Sequence, residues 1–278
     1  KKICEPRCSV NMEEDFTLLL SPKDLGGLVR PEQVDLSFEK EHNRKEHPKD
    51  QIEECWEVAL AKNPRLFDGS KFRLQKVSFD KDAKLLRLQL GLTSYKEYLG
   101  TNRLDEEKRQ IFRKDGIEHF GDEAAFFSNA LGCEAALCTS DQQLVLLRRS
   151  GAVGTHSGLY NGPSGHPEPK NAGIRGSDDF VATEPLLDAV KREIFQSALD
   201  EVVAETGVPL ETLSEPLLMG FMADPALKPD VLFLVRTSLD STALREGISK
   251  AQEAWESDRL VFWPLANAGA CDLPLTAV

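Results

Sequence analysis

No two cysteines in this chain stand at Cys-x-x-Cys spacing. The six that occur, Cys4, Cys8, Cys55, Cys133, Cys138 and Cys271, are scattered, so neither a zinc framework nor a disulfide scaffold is expected. Reduced thiols fit better, with Cys133 and Cys138 as buried core residues. No apolar stretch approaches the roughly 20 residues that cross a bilayer. Lys1-Lys2 leads into no apolar core of the secretory type. Positive charge is also short: 34 Lys and Arg face 46 Asp and Glu, a net charge of −12. That balance argues against a nucleic-acid backbone as a general partner, although a local Arg cluster can still take a compact anion. Internal repeats and low-complexity tracts are missing too. The expectation is an intracellular, cytoplasmic protein with no nucleic-acid and no membrane partner. The pattern says nothing of its oligomeric state.

What remains is ordinary globular composition, 41% apolar and 29% charged over 278 residues, enough for one large domain or two smaller ones. Residues 1–15 read as a tail, with Met12 at a natural start. Phe16 to Leu20 reads as a short strand ended by Ser21-Pro22. Residues 40–50 are almost wholly charged and read as a surface loop, with His42 and His47 on it. A helix follows over 50–66. A hairpin joins 72–79 to 84–92, where Leu86, Leu88, Leu90 and Leu92 alternate with polar neighbours as one face of a strand does. Residues 103–131 read as an amphipathic helix. A second hairpin joins 134–139 to 143–149 and ends in Arg148-Arg149. A glycine turn, Gly162-Pro163-Ser164-Gly165, leads into a flexible loop at 170–182. Thr183, as N-cap, and Pro185 open a long helix that Gly207 and Pro209 close near Thr206. Strands at 215–222, 231–238 and 259–264 follow, with a helix at 241–256.

The long helix carries an anomaly. With Leu187 set at zero and about 100° per residue, Ile194, Ala198 and Val190 define an apolar arc. Glu201 and Glu205 fall inside that arc, at about 320° and 0°, whereas Glu193, Gln196 and Asp200 fall on the side expected to face water. The two glutamates stand four apart, so they share one helix face. Two adjacent anions on a buried face are costly, and each raises the other's pKa. Either a cation sits between them or the helix end emerges into solvent. Oxygen-only ligands would suit Mg²⁺, with Mn²⁺ as the alternative.

The glycine turn and helix together resemble the Nudix box. Gly165 matches its start, and Glu201, Val202, Glu205, Gly207 and Val208 match its end. Asp200 stands where Arg is usual and Ala204 where the first of two paired Glu is usual. Arg192 holds the place of the middle Glu, with Glu193 one position off. The segments 65–68, 71–74, 90–95, 99–102 and 165–169 resemble one branch, the uridine diphosphate glucose pyrophosphatases, over roughly residues 12–270.

The resemblance implies an α/β Nudix fold, an α/β/α sandwich with a mixed sheet over 132–278. An N-terminal α+β extension over 16–131 would serve uridine recognition. It implies a hydrolase that splits UDP-glucose or UDP-galactose into UMP and hexose 1-phosphate with Mg²⁺. Glu201 and Glu205 would be catalytic metal ligands, Glu205 also a candidate base, and the Gly165 carbonyl would complete the shell. Phe67 and Tyr95 would form the uracil platform, and Arg149 would bind phosphate. Asn161, His166 and Glu168 would contact sugar hydroxyls or the diphosphate. Two alternatives stay open: a hydrolase of the same fold acting on another diphosphate such as ADP-ribose or a coenzyme, and a catalytically weak nucleotide or protein binder.

Overall fold

The computed structural model describes residues 16–150, 158–175, 181–247, 257–270, 273 and 275. The expected tail at 1–15, Gly176, Ser177, Asp178 and Asp179 of the glycine loop, and the last part of the helix at 241–256 lie outside them. In chain order come β1 (Thr17–Leu20), β2 (Val34–Phe38), helix α1 (Ile52–Lys62), β3 (Ser70–Asp80), β4 (Leu85–Ser94), α2 (Tyr95–Gly100) and α3 (Glu106–Phe120). The second half holds β5 (Gly132–Cys138), β6 (Gln143–Arg149), β7 (Tyr160–Asn161), β8 (Ser164–Gly165) and α4 (Glu184–Thr206). It ends with β9 (Leu217–Ala223), β10 (Pro229–Arg236), α5 (Ser241–Gly247) and β11 (Ser257–Pro264).

Among the described residues eight strands form one mixed sheet, in the order β1-β9-β10-β5-β6-β11, with β7 on β6 and β8 on β5. Only the β5–β10 pair in it is parallel. β2, β4 and β3 form the second sheet. Leu86, Leu88, Leu90 and Leu92 are buried on one face of β4, as their alternation predicts. They share one apolar cluster with Val190, Ile194 and Phe195 of α4 and with Val231 and Phe233 of β10. β1 lies at the edge of the sheet built by the second half. The apolar core therefore runs across the chain's two halves. No helix among the described residues is long and apolar enough to cross a membrane.

Two expectations need correction. The helix expected over 103–131 ends at Phe120, because Gly121 turns left-handed (φ 65°). Beyond it the backbone is held from outside. The buried guanidinium of Arg73 donates to the carbonyls of Phe127 (3.0 Å), Ala124 (2.8 Å) and His42 (2.8 Å). The charged segment 40–50 is not a plain surface loop either. His47 is buried, packs between Phe112 and Phe126, and meets Asp115 at 3.0 Å. Arg44 pairs with Glu97 (2.7 Å) and Asp50 (3.0 Å). These charges find partners in the protein, which is the condition for leaving water.

Register decides which face each side chain takes. Gly132 stands opposite Asp230, and Glu134 opposite Leu232, in the parallel β5–β10 pair. Cys133, Val231 and Phe233 share the cluster with α4. Strand alternation then puts Gly132, Glu134 and Asp230 on the other face of the sheet.

Candidate active site

Helix α4 begins and ends where the sequence predicts. Pro185 lies in its first turn and Gly207 ends it in the left-handed conformation (φ 69°), although the Thr183 side chain makes no capping bond. Val190, Ile194, Ala198 and Val202 are buried. Glu205 is only 4% exposed and Glu201 is half-buried, so both carboxylates do enter the apolar side of the helix. The glycine turn sits directly on them. Glu205 Oε1 accepts the amide of Ser164 at 2.8 Å. A methyl group at Gly165 would overlap the Glu201 carboxylate, so the close approach requires glycine there.

The turn is fixed from several sides. β8 pairs Gly165 with Cys133 and Ser164 with Glu134. Asn161 is buried and donates through Nδ2 to Ser164 Oγ at 2.7 Å, a bond that a glycine at 164 could not accept. Its own Oδ1 has no partner among the described residues. Glu193, expected on the water side, is buried instead. Its Oε1 accepts the amide of Glu168 (2.8 Å) and Asn171 Nδ2 (3.1 Å). Burial raises its pKa against those two bonds. Glu193 thus ties the segment after the turn to α4, one position from where the Nudix pattern places a glutamate. The described start of the 170–182 loop is ordered against the core through Ala172 and Ile174.

His166 and Glu168 continue from the turn. Burial, then the charges of Lys228 and Lys71, depress the His166 pKa well below 6.5, so its ring is neutral at pH 7. Burial raises the Glu168 carboxyl, but Lys170 and Lys71 outweigh it and hold the pKa low. Glu168 meets Lys71 at 3.2 Å and also pairs with Lys170. Lys71 belongs to β3, so this bridge joins the small sheet to the turn.

The proposed base platform lies on that small sheet. Phe67 is 76% exposed just before β3. Tyr95, at the start of α2, stacks on Tyr98 (6.3 Å between centroids) and meets Trp56 edge-on. The backbone amide of Tyr95 donates to Gly69 at 3.0 Å, which brings the Phe67 loop beside it. Arg149 ends β6, half-buried, and its charge reaches Glu134.

Sequence reading missed Glu134. Its Oε1 accepts the Gly162 amide at 2.7 Å. Burial pushes the carboxyl up to about 7, against that bond and the charges of Lys228 and Arg149, with Asp230 adding to the rise. A carboxyl whose pKa is raised by folding holds its proton longer in the native state. Its contribution to stability is therefore full below the ordinary carboxyl pKa of 4.5 and is lost as pH rises through about 7. Glu134→Gln keeps an acceptor for Gly162 and removes the titration. The gap in unfolding midpoint between variant and wild type should widen in the variant's favour from pH 5 to pH 8. Parallel curves would show that Glu134 does not titrate in this range.

The donor set fits a hard divalent cation. Two carboxylates and the Gly165 carbonyl are all oxygen, and the missing Cβ at Gly165 brings the turn's backbone up to Glu201. Among the described residues, no three His, Cys, Asp or Glu side chains form a cluster able to hold a metal. Two carboxylates would have to suffice, with water or substrate oxygens completing the shell, as Mg²⁺ tolerates.

No family model matches the chain. Curated relatives do. The uridine diphosphate glucose pyrophosphatase NUDT22 of Mus musculus is 39% identical over 253 residues, 88% of this chain and 80% of that protein. The Homo sapiens protein of the same name is 37% identical over 265 residues, 92% and 85% of the two lengths. Nudix hydrolase 9 of Arabidopsis thaliana is 34% identical over 262 residues, 88% and 81%. Among solved structures, a MutT protein from Methanosarcina mazei Go1 overlays with a TM-score of 0.33 at 16% identity, over 53% of this chain and 84% of that one. An overlay that loose carries no weight beside the relatives. With identity of 34–39% held across so much of both lengths, the chain belongs to the Nudix hydrolase family.

Proposed function

We propose that this protein hydrolyses the diphosphate of UDP-glucose and UDP-galactose, giving UMP and hexose 1-phosphate, with Mg²⁺ as the cation. The observation that carries the reading is the seating of the glycine turn on the carboxylate pair: Gly165 against Glu201, and Ser164 bonded to Glu205. The relatives' name supplies the substrate class. Glu201, Glu205 and the Gly165 carbonyl would hold the metal. When bound, it neutralises phosphate charge and lowers the pKa of a coordinated water.

The chain's own residues do the rest. In-line attack of water on phosphorus needs the diphosphate held still and its charge offset. Asn161 and Glu134 fix the turn, so its backbone presents one geometry to the substrate. Arg149 would pair with phosphate oxygens through its planar fork. Neutral His166 can donate or accept one hydrogen bond without adding charge. Phe67 and Tyr95 would stack on uracil, with Glu168 and Asn161 beside the sugars.

A panel of nucleotide sugars with Mg²⁺, scored by which nucleoside monophosphate is released, tests the reading. UMP from the uridine sugars is expected, and a panel that yields none overturns it. Phe67→Ala with Tyr95→Ala should raise KM for UDP-glucose about 10- to 100-fold, the loss of roughly 1–3 kcal/mol of base stacking. The metal dependence should stay as it is. An unchanged KM would place the uracil elsewhere.

A further inference from the structure

The β9–β10 hairpin carries Lys228, a lysine with no role in the reaction proposed for this protein. Lys228 Nζ meets Asp230 Oδ1 at 2.5 Å. Asp230 is fully buried, and its second oxygen has no partner among the described residues. Across the strand pair, a methyl group at Gly132 would overlap both charged groups, so the pair occupies the space a side chain would fill. Lys228 is not sealed in: 12% of its side chain stays exposed.

The turn that presents this lysine is over-determined. Leu227 is left-handed (φ 65°), a costly conformation for a γ-branched residue. Asp224 Oδ1 accepts the amides of Ala226 and Lys228, each at 2.8 Å. From the other half of the chain, Asn102 Nδ2 donates to the Ala226 carbonyl (2.7 Å) and Arg113 to that of Pro225 (2.6 Å). Strain held by this many anchors is typical of a functional position. A buried ion pair alone adds little stability over an apolar pair, so stability does not account for it.

Location completes the argument. The ammonium charge acts on Tyr98, which stacks on the proposed base platform. It also acts on Glu134 and His166, which flank the glycine turn. Lys228 packs against Gly132, the neighbour of the residue that pairs with Gly165, and follows by two residues the Ala226 carbonyl that Asn102 holds, so it lies beside both the strand under the glycine turn and the segment after Tyr98.

We propose that Lys228 binds the nucleotide-side phosphate of the substrate, and that Asp230 and Gly132 are positioning residues that hold its ammonium in place; this rests on the nucleotide-sugar reading above. Lysine suits the task as a compact point charge on a phosphate.

UMP binding separates the possibilities, because it needs neither turnover nor metal. Calorimetric Kd values for UMP in metal-free buffer should be compared for wild type, Lys228→Met, Lys228→Arg and the double variant Lys228→Met/Asp230→Asn. The Met variant leaves Asp230 buried without a partner and can lose stability for that reason alone. The double variant removes both charges and should keep the wild-type unfolding midpoint. Both are expected to bind UMP at least tenfold more weakly, with Lys228→Arg recovering most of the loss. With UDP-glucose and Mg²⁺, KM should rise more than kcat falls. A folded double variant that binds UMP within threefold of wild type would show the pair to be structural only and overturn the proposal. Wild type that binds UMP but releases none from UDP-glucose would overturn the hydrolysis reading while leaving the Kd comparison valid. Wild type that releases UMP from UDP-glucose but binds no UMP would overturn the lysine proposal and leave the hydrolysis reading standing.

Discussion

Glu201→Gln and Glu205→Gln should each lower kcat for UDP-glucose by about 10³-fold, the scale of losing one preorganised charge at a reacting phosphate. Neither should unfold the protein. Glutamine at 205 keeps an oxygen for the Ser164 amide, so the turn remains anchored. Each change also removes one of two neighbouring anions from a largely buried face, which relieves repulsion when no cation is bound. The unfolding midpoint in metal-free buffer should therefore hold steady or rise while activity collapses. Opposite movement of stability and rate is the signature of a ligand-binding carboxylate, and ordinary core damage would lower both. Retained turnover in both variants would remove these residues from the site.

Gly165→Ala is expected to cost about 100-fold in kcat/KM. The added methyl would meet the Glu201 carboxylate, so either that side chain swings away or the turn lifts off the helix. Lifting the turn also strains the bond from Ser164 to Glu205. A displacement of about 1 Å at a reacting centre is enough for a loss of that size. Mn²⁺ binding followed by calorimetry gives a second readout: the alanine variant should bind the ion more weakly than wild type, although every carboxylate is still present. Activity within threefold of wild type would mean that the turn and Glu201 do not act together.

Much of this was legible in the chain itself. The limits of α4 follow from Pro185 and Gly207, whose backbone preferences act locally. The buried stripe of β4 follows from the alternation of Leu86 to Leu92, because strand geometry leaves alternate residues no other face. The position of Glu201 and Glu205 inside the apolar arc follows from helical period alone. Local rules reach only as far as the nearest turns, however. Glu193 lies at about 240° from Leu187, on the side where helical period puts solvated charge, yet it is buried. The amide of Glu168, 25 residues away, decides it. Arg44 and His47 lie in a segment that looked like solvated charge and are buried, because carboxylates from distant segments satisfy them, as distant carbonyls satisfy the buried Arg73.

By itself, then, the sequence determined the limits of α4, the buried face of β4 and the carboxylate pair on α4. Only the tertiary structure decided what meets that pair. Ser164 reaches Glu205 across 41 residues, and Gly165 reaches Glu201 because β8 pairs with β5 beneath the helix. Parallel pairing of β5 with β10 likewise placed Asp230 over Gly132 on the sheet's opposite face. A buried charge is tolerable only where a partner of the right kind arrives, and arrival is a property of the whole fold.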